Sequence, residues 1–168
     1  MKKVLFLLLA ALITNVLQAQ SPAISTKYSD AEIAELILRY KNSRDHDTHA
    51  TGVLLQRFRQ DFPNARDVEW ETNGELYEVE FEIGPHDFAA FYDRNGELLM
   101  YKQKIRVGEL PAIVKTAAEA RFPKYRFDDI EKIVKGTQTF YEIEMKLREA
   151  EVKMIITDRG EVIREKYD

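Results

Sequence analysis

Residues 67–84 read DVEWETNGELYEVEFEIG, and this stretch decides the fold. Val68, Trp70 and Thr72 alternate with Asp67, Glu69 and Glu71. Tyr77, Val79, Phe81 and Ile83 then alternate with Glu78, Glu80 and Glu82. A period of two belongs to strands with one apolar and one polar face. Asn73-Gly74, between the two runs, is the dipeptide of a tight hairpin. A sheet buried on both sides would instead show continuous apolar runs. The stretch therefore predicts an antiparallel hairpin with a helix on its apolar face. Its charged face is open to water or to a partner.

Working outward, Gly84-Pro85 turns the chain into a third strand, Asp87 to Tyr92. Asp93 to Gly96 turns it into a fourth, Glu97 to Ile105. Upstream, Leu54, Leu55, Phe58 and Phe62 recur at helical spacing. Phe62-Pro63 ends that helix, because a residue before proline is pushed out of the α region.

The same order recurs downstream. Phe122-Pro123 follows Phe62-Pro63 by 60 residues, and Tyr141-Glu142-Ile143-Glu144 follows Tyr77-Glu78-Val79-Glu80 by 64. Asp158-Arg159-Gly160-Glu161 matches Asp93-Arg94-Asn95-Gly96-Glu97 at 64 to 65, which makes the first turn one residue longer. Ile113, Val114, Ala117, Ala118 and Phe122 form the second helix, and Pro111 suits its first turn. Strands follow at about Phe127–Val134, Thr139–Leu147, Glu151–Thr157 and Glu161–Tyr167. Two copies are too few, and the period too long, for a solenoid. The fold class is α+β: two tandem units, each a helix packed on one face of a roughly four-stranded antiparallel sheet.

Ahead of the repeats, Ser29-Asp30-Ala31-Glu32 forms a capping box, and Ile33, Leu36, Ile37 and Tyr40 form a short amphipathic helix. This helix either joins the first unit as a second helix or packs on it from outside. At the start, Met1-Lys2-Lys3, an apolar run from Val4 to Val16 and Leu17-Gln18-Ala19 have the order of a secretory signal peptide. The run is shorter than the roughly 20 residues that span a bilayer. Cleavage near Ala19 would take the net charge from −4 to −6 and place the chain in the periplasm or outside the cell. The domains are then 1–19 signal peptide, 20–49 N-terminal segment, 50–106 first unit and 107–168 second unit.

The 168 residues include no cysteine. That removes disulfides, thiolate metal sites and a cysteine nucleophile. The acidic balance argues against nucleic acid as a partner, and no second apolar run is long enough to span a membrane.

These features together resemble the PepSY-like, beta-lactamase-inhibitor-like family, from about residue 50 to residue 168. The stretch Phe62-Pro63-Asn64-Ala65 through Val68-Glu69-Trp70-Glu71 is similar to its opening signature. The resemblance implies two units whose sheets join into one curved surface. In inhibitors of this fold such a surface grips a loop of the target enzyme, and PepSY domains elsewhere accompany proteases as propeptides. It implies no catalytic residues. The disulfides of the lactamase inhibitors are missing here, and a shared fold does not carry function with it.

The candidate binding surface is the open face. It carries Glu69, Glu71, Glu78, Glu80 and Glu82 in the first unit, with Phe91 and Tyr101 beside them. In the second unit it carries Lys132, Glu142, Glu144, Lys146, Glu151 and Lys153. Like charges opposed across strands destabilise a sheet, so a partner or cross-strand lysines must offset them. Trp70, Tyr77 and Tyr141 read as core. Asp45-His46-Asp47-Thr48-His49 offers two imidazoles and two carboxylates, but no further ligand, and reads as a polar loop rather than a metal site. His86 sits in a turn and carries no argument. No nucleophile elbow, phosphate loop or dinucleotide fingerprint is present. The reading is a non-catalytic module without cofactor or metal, facing a protein or peptide target in the cell envelope. The alternative is a structural protein binding ions or cationic ligands through its acidic face.

Overall fold

The computed structural model describes residues 22–42, 50 and 52–167. The residues read above as a signal peptide and Asp45–His49 lie outside them. Among the described residues there are three α-helices: α1 Asp30–Asn42, α2 Gly52–Asp61 and α3 Ala112–Arg121. Eight strands follow the chain as β1 Arg66–Thr72, β2 Leu76–Ile83, β3 His86–Asp93, β4 Leu98–Lys104, β5 Arg126–Lys135, β6 Gln138–Leu147, β7 Ala150–Thr157 and β8 Val162–Tyr167. They form one antiparallel sheet in sequence order. Pairing of Met100 with Lys135 through Lys104 with Glu131 joins β4 to β5 without a break. The fold is α+β.

The local signals act as their chemistry requires. α2 and α3 both stop one residue before a Phe-Pro pair. Phe122 leaves the helix at φ −131°, ψ 67°, while its N–H still reaches the Ala118 carbonyl. Asn73 closes the first hairpin by accepting the Glu75 and Leu76 N–H groups on its side-chain oxygen.

α2 and α3 cover the same face. Under α2 the core is aromatic: Phe58 and Phe62 of the helix meet Phe81 at 5.0 and 4.6 Å between ring centroids, and Trp70 and Tyr101 close the cluster. Under α3 it is mainly aliphatic, with Val114 and Ala118 on Ile130, Ile143, Met145, Val152, Met154 and Ile156. Trp70 packs in the α2 core, as its alternation requires, though its Nε1 is buried with no hydrogen-bond acceptor. Tyr77 borders the α2 core and Tyr141 is buried in the α3 core.

α1 lies on the opposite face. Ile33, Leu36, Ile37 and Tyr40 rest on Leu76, Phe91, Leu99 and Met100. The face read as open is therefore covered over part of β2–β4. Strand alternation shows a face to be polar on average but not which positions a distant helix will claim.

The ladders break register at four places, between β1 and β2, β3 and β4, β5 and β6, and β7 and β8, and the first two change which of the residues read above share a face. At Asp67, φ is +50° and pairing slips between Arg66 and Glu69, which carries Val68 out of the core to 39% exposure. In β4, Phe91 pairs with Met100 but Tyr92 with Leu98, leaving Leu99 inserted. Leu98 therefore faces α2 and Leu99 and Met100 face α1, while Phe91 and Tyr92, in the unbroken β2–β3 ladder, face α1 and α2 respectively. The two turns after β3 and β7 are also of equal length. Asp93 and Thr157 exchange the same backbone hydrogen bonds with Glu97 and Gly96, and with Glu161 and Gly160. The extra residue expected in the first turn is not there.

Candidate functional site

Strand pairing arranges the charged face in rows. Glu71, Glu78, Phe91, Met100 and Lys135 lie side by side across β1–β5. The next row is Glu69, Glu80, Ala89, Lys102 and Ile133. Beyond it, Glu82 opposes Asp87, and further across the sheet Lys104, Glu131 and Glu142 are aligned.

α1 takes the first row. Phe91 is 3% exposed beneath it, with the Tyr40 ring edge-on at 6.5 Å. The Tyr40 hydroxyl donates to Glu71 Oε2 at 2.8 Å. Burial pushes the Glu78 carboxyl above the usual range, partly opposed by its hydrogen bond with Tyr40 and reinforced by Glu80 and Glu71. Burial also raises the Tyr40 phenol, helped by its bonds to Glu71 and Glu78. Asp30 at the start of α1 pairs with Lys135 at 3.1 Å, and Arg39 near its end pairs with Glu75 at 3.0 Å.

Tyr101 is not on this face. The inserted Leu99 sets Tyr101 opposite Ala90, on the α2 side, where it is 8% exposed against Phe62. Lys132 is likewise misplaced by the sequence reading. It opposes Tyr141 on the helix side, while Glu131 takes the charged face.

Glu142 and Glu144 are on the charged face as expected, and both are neutralised. Lys153 reaches them at 3.4 and 3.6 Å. Lys146 contacts Asp128 at 2.7 Å, Glu144 at 3.0 Å and Glu151 at 3.4 Å. Asp128 and Glu144 hold the Lys146 ammonium above its usual range. Lys102 pairs with Glu131 at 2.7 Å and Lys104 with Asp129 at 2.8 Å.

Glu69, Glu80 and Glu82 are different. With Asp87, which the site reading did not include, they are exposed and form no ion pair among the described residues. Two opposed pairs, Glu69 with Glu80 and Glu82 with Asp87, bring like charges face to face. These four carboxylates, floored by Ala89, line a shallow hollow of about 370 Å³ that Lys102 and Lys104 border on the far side. Among the described residues no group of three or more His, Asp or Glu is placed to hold a metal ion, and no helix is long and apolar enough to cross a membrane. His86 joins the two halves of the chain: Nδ1 lies 3.1 Å from the Lys104 carbonyl oxygen and Nε2 lies 3.2 Å from Glu109.

Solved structures share this fold. A DUF2874 family protein from Bacteroides uniformis superposes with a TM-score of 0.66 at 18% identity, over 71% of this chain and 90% of that one. A protein from Bacteroides eggerthii described as "putative periplasmic" gives the same values. A BLIP-like protein from Bacteroides fragilis gives 0.64 at 18% identity, over 71% of this chain and 87% of that one. No curated protein matches the sequence. The sequence model of the family described as "Putative beta-lactamase-inhibitor-like, PepSY-like" matches residues 51–100 and 75–164. With most of the chain inside that match, the chain belongs to the PepSY-like, beta-lactamase-inhibitor-like family.

Proposed function

We propose that this protein is an exported, non-catalytic binding module that recognises a basic segment of an envelope protein or peptidase through the acidic surface of β1–β3. Residues 1–19 serve as its signal peptide, 20–49 as the segment bearing α1, and 50–106 and 107–168 as two tandem units.

The tandem reading is supported by register. Val53, Leu54, Phe58, Phe62 and Trp70 correspond to Ile113, Val114, Ala118, Phe122 and Ile130 at an offset of 60. After the β5–β6 hairpin, longer by four residues, the offset is 64 throughout. The inserted Leu99 then corresponds to Ile163, at the matching break between β7 and β8.

One contrast carries the functional reading. Where the second unit has Lys146 and Lys153, the first has Glu82 and Ala89. The second unit neutralises its own carboxylates, whereas the first faces Glu69 with Glu80 and Glu82 with Asp87, and its nearby Lys102 and Lys104 are paired with Glu131 and Asp129 instead. A basic partner segment would supply it, and long-range attraction would speed the encounter.

The test is affinity capture from envelope and secreted fractions, using the chain from Gln20 onward as bait. A second bait carries Glu69→Lys, Glu80→Lys and Glu82→Lys, and a third carries Glu119→Lys on α3 as a charge control. A partner held by the first and third baits, lost from the second and released by salt is the expected result. Equal capture by all three would remove the acidic surface as the site. Capture by none, with saturable binding of a small polycation, would favour a cationic-ligand protein instead.

A further inference from the structure

The surface beneath α1 has an uncovered counterpart. Leu76, Phe91, Leu99 and Met100, which α1 buries, correspond in the two-unit register to Phe140, Ile155, Ile163 and Arg164. Phe140 opposes Thr157, and Ile155 opposes Arg164, with Ile163 the adjacent inserted residue. Three apolar side chains thus adjoin on β6, β7 and β8. Phe140 and Ile155 are half-buried and Ile163 is 51% exposed. The surface also continues the α1 footprint: Ile133 packs against the α1 cluster and pairs in register with Phe140.

We infer that Phe140, Ile155, Ile163 and Arg164 form a docking site for an amphipathic helix of a partner protein. The chain itself shows what covers such a surface. In the first unit its occupant is a helix whose Ile33, Leu36, Ile37 and Tyr40 stand at the i, i+3, i+4, i+7 spacing of one apolar stripe. The second unit differs in charge. Arg164 replaces Met100 and forms no ion pair among the described residues. The partner helix therefore carries a carboxylate beside its apolar stripe to meet the guanidinium. This inference rests on the two-unit reading and not on the acidic surface of β1–β3.

The probe is a helix-stabilised peptide with the sequence Tyr28–Asn42, which has both the stripe and the acids Asp30, Glu32 and Glu35. It is titrated calorimetrically into the full chain from Gln20 onward. The expected result is saturable binding, weakened at least tenfold by Ile163→Asp and severalfold by Arg164→Glu. Glu69→Lys with Glu80→Lys should leave it unchanged, which separates this site from the acidic one. Circular dichroism melts establish that each variant folds, and Arg164→Glu, an exposed charge swap, keeps the test open should Ile163→Asp unfold. No binding overturns the inference. So does binding that neither variant weakens, since the peptide would then be displacing α1 or binding elsewhere.

Discussion

Gly160 lies so close to the first turn of α3 that a Cβ there would stand 2.9 Å from Ile113 Cγ1 and 3.2 Å from the Ile113 carbonyl oxygen. Gly96 meets Val53 of α2 in the same way, with the nearest atom at 3.4 Å. Both glycines have positive φ, +83° and +81°. Each helix therefore starts against the turn that follows the third strand of its own half. Alanine at either site meets the left-handed backbone penalty of about 1 kcal/mol. Gly160→Ala must also displace helix backbone, which yields less readily than a side-chain tip. Urea unfolding should show a loss of about 1 kcal/mol for Gly96→Ala and roughly 2–3 kcal/mol for Gly160→Ala. Equal losses would mean that the α3 contact is slack.

Glu78 gives a pH signature. Burial beneath α1 holds its carboxyl above the unfolded value, so the folded state takes up its proton more readily. The cost of keeping it ionised is complete above the folded pKa and fades as pH falls through it. Glu78→Gln keeps a hydrogen-bonding side chain beside Tyr40, whose hydroxyl donates to Glu71, and removes that cost. It should raise Tm at pH 7 by about 2 °C, a gap that closes towards pH 4. A gap independent of pH would show that the ionised carboxylate is not what costs stability.

The acidic surface should be frustrated in the isolated protein. Glu80→Lys places a cation opposite Glu69 and should stabilise by about 0.5 kcal/mol, with the gain shrinking in high salt. Lys153→Ala should destabilise by only a few tenths, roughly, because its ion pairs with Glu142 and Glu144 are partly exposed. Chemical denaturation at low and high salt reads both. Loss of stability in Glu80→Lys would contradict the repulsion on which the proposed partner depends.

Asp93 is the buried hinge of the β3–β4 turn. It accepts the Tyr28 hydroxyl at 2.7 Å, the Asn95 and Glu97 N–H groups at 2.8 and 2.9 Å, and Asn95 Nδ2 at 2.9 Å. The Thr157 hydroxyl at the matching place accepts only the Glu161 N–H among the described residues, at 3.1 Å. Asp93→Ala should cost about 2–3 kcal/mol and Thr157→Ala about 1 kcal/mol. Burial pushes the Asp93 carboxyl up, but the Tyr28 hydroxyl and the turn N–H groups outweigh it and hold it below the usual range. The same carboxylate is the main cause pushing the Tyr28 phenol up to about 12. The Asp93 contribution is therefore complete above the unfolded pKa and lost as pH falls through the lower folded one. Acid titration of wild type against Asp93→Asn, followed by fluorescence of Trp70, checks the sign.

Local chemistry determined much of this protein. Alternation marked the strands from Trp70 to Tyr167. The Phe-Pro pairs stopped both helices where the structure stops them, and the repeated motifs carried the family. These signals act within a few residues, so a single sequence contains them. Tertiary structure alone decided the face of Tyr101, because one inserted residue, Leu99, reverses the side chains of β4 beyond it and leaves no mark in composition, and it alone decided that α1 covers Phe91. It also decided the fate of the glutamates. Glu78 disappears beneath a helix some 40 residues earlier in the chain, Glu142 and Glu144 pair with Lys153 of the neighbouring strand and Glu144 also with Lys146 of its own, and Glu69, Glu80, Glu82 and Asp87 are left facing one another. The glutamates of this face looked alike in sequence because charge is a property of the residue. Whether that charge is buried, paired or exposed depends on which strands and helices lie beside it.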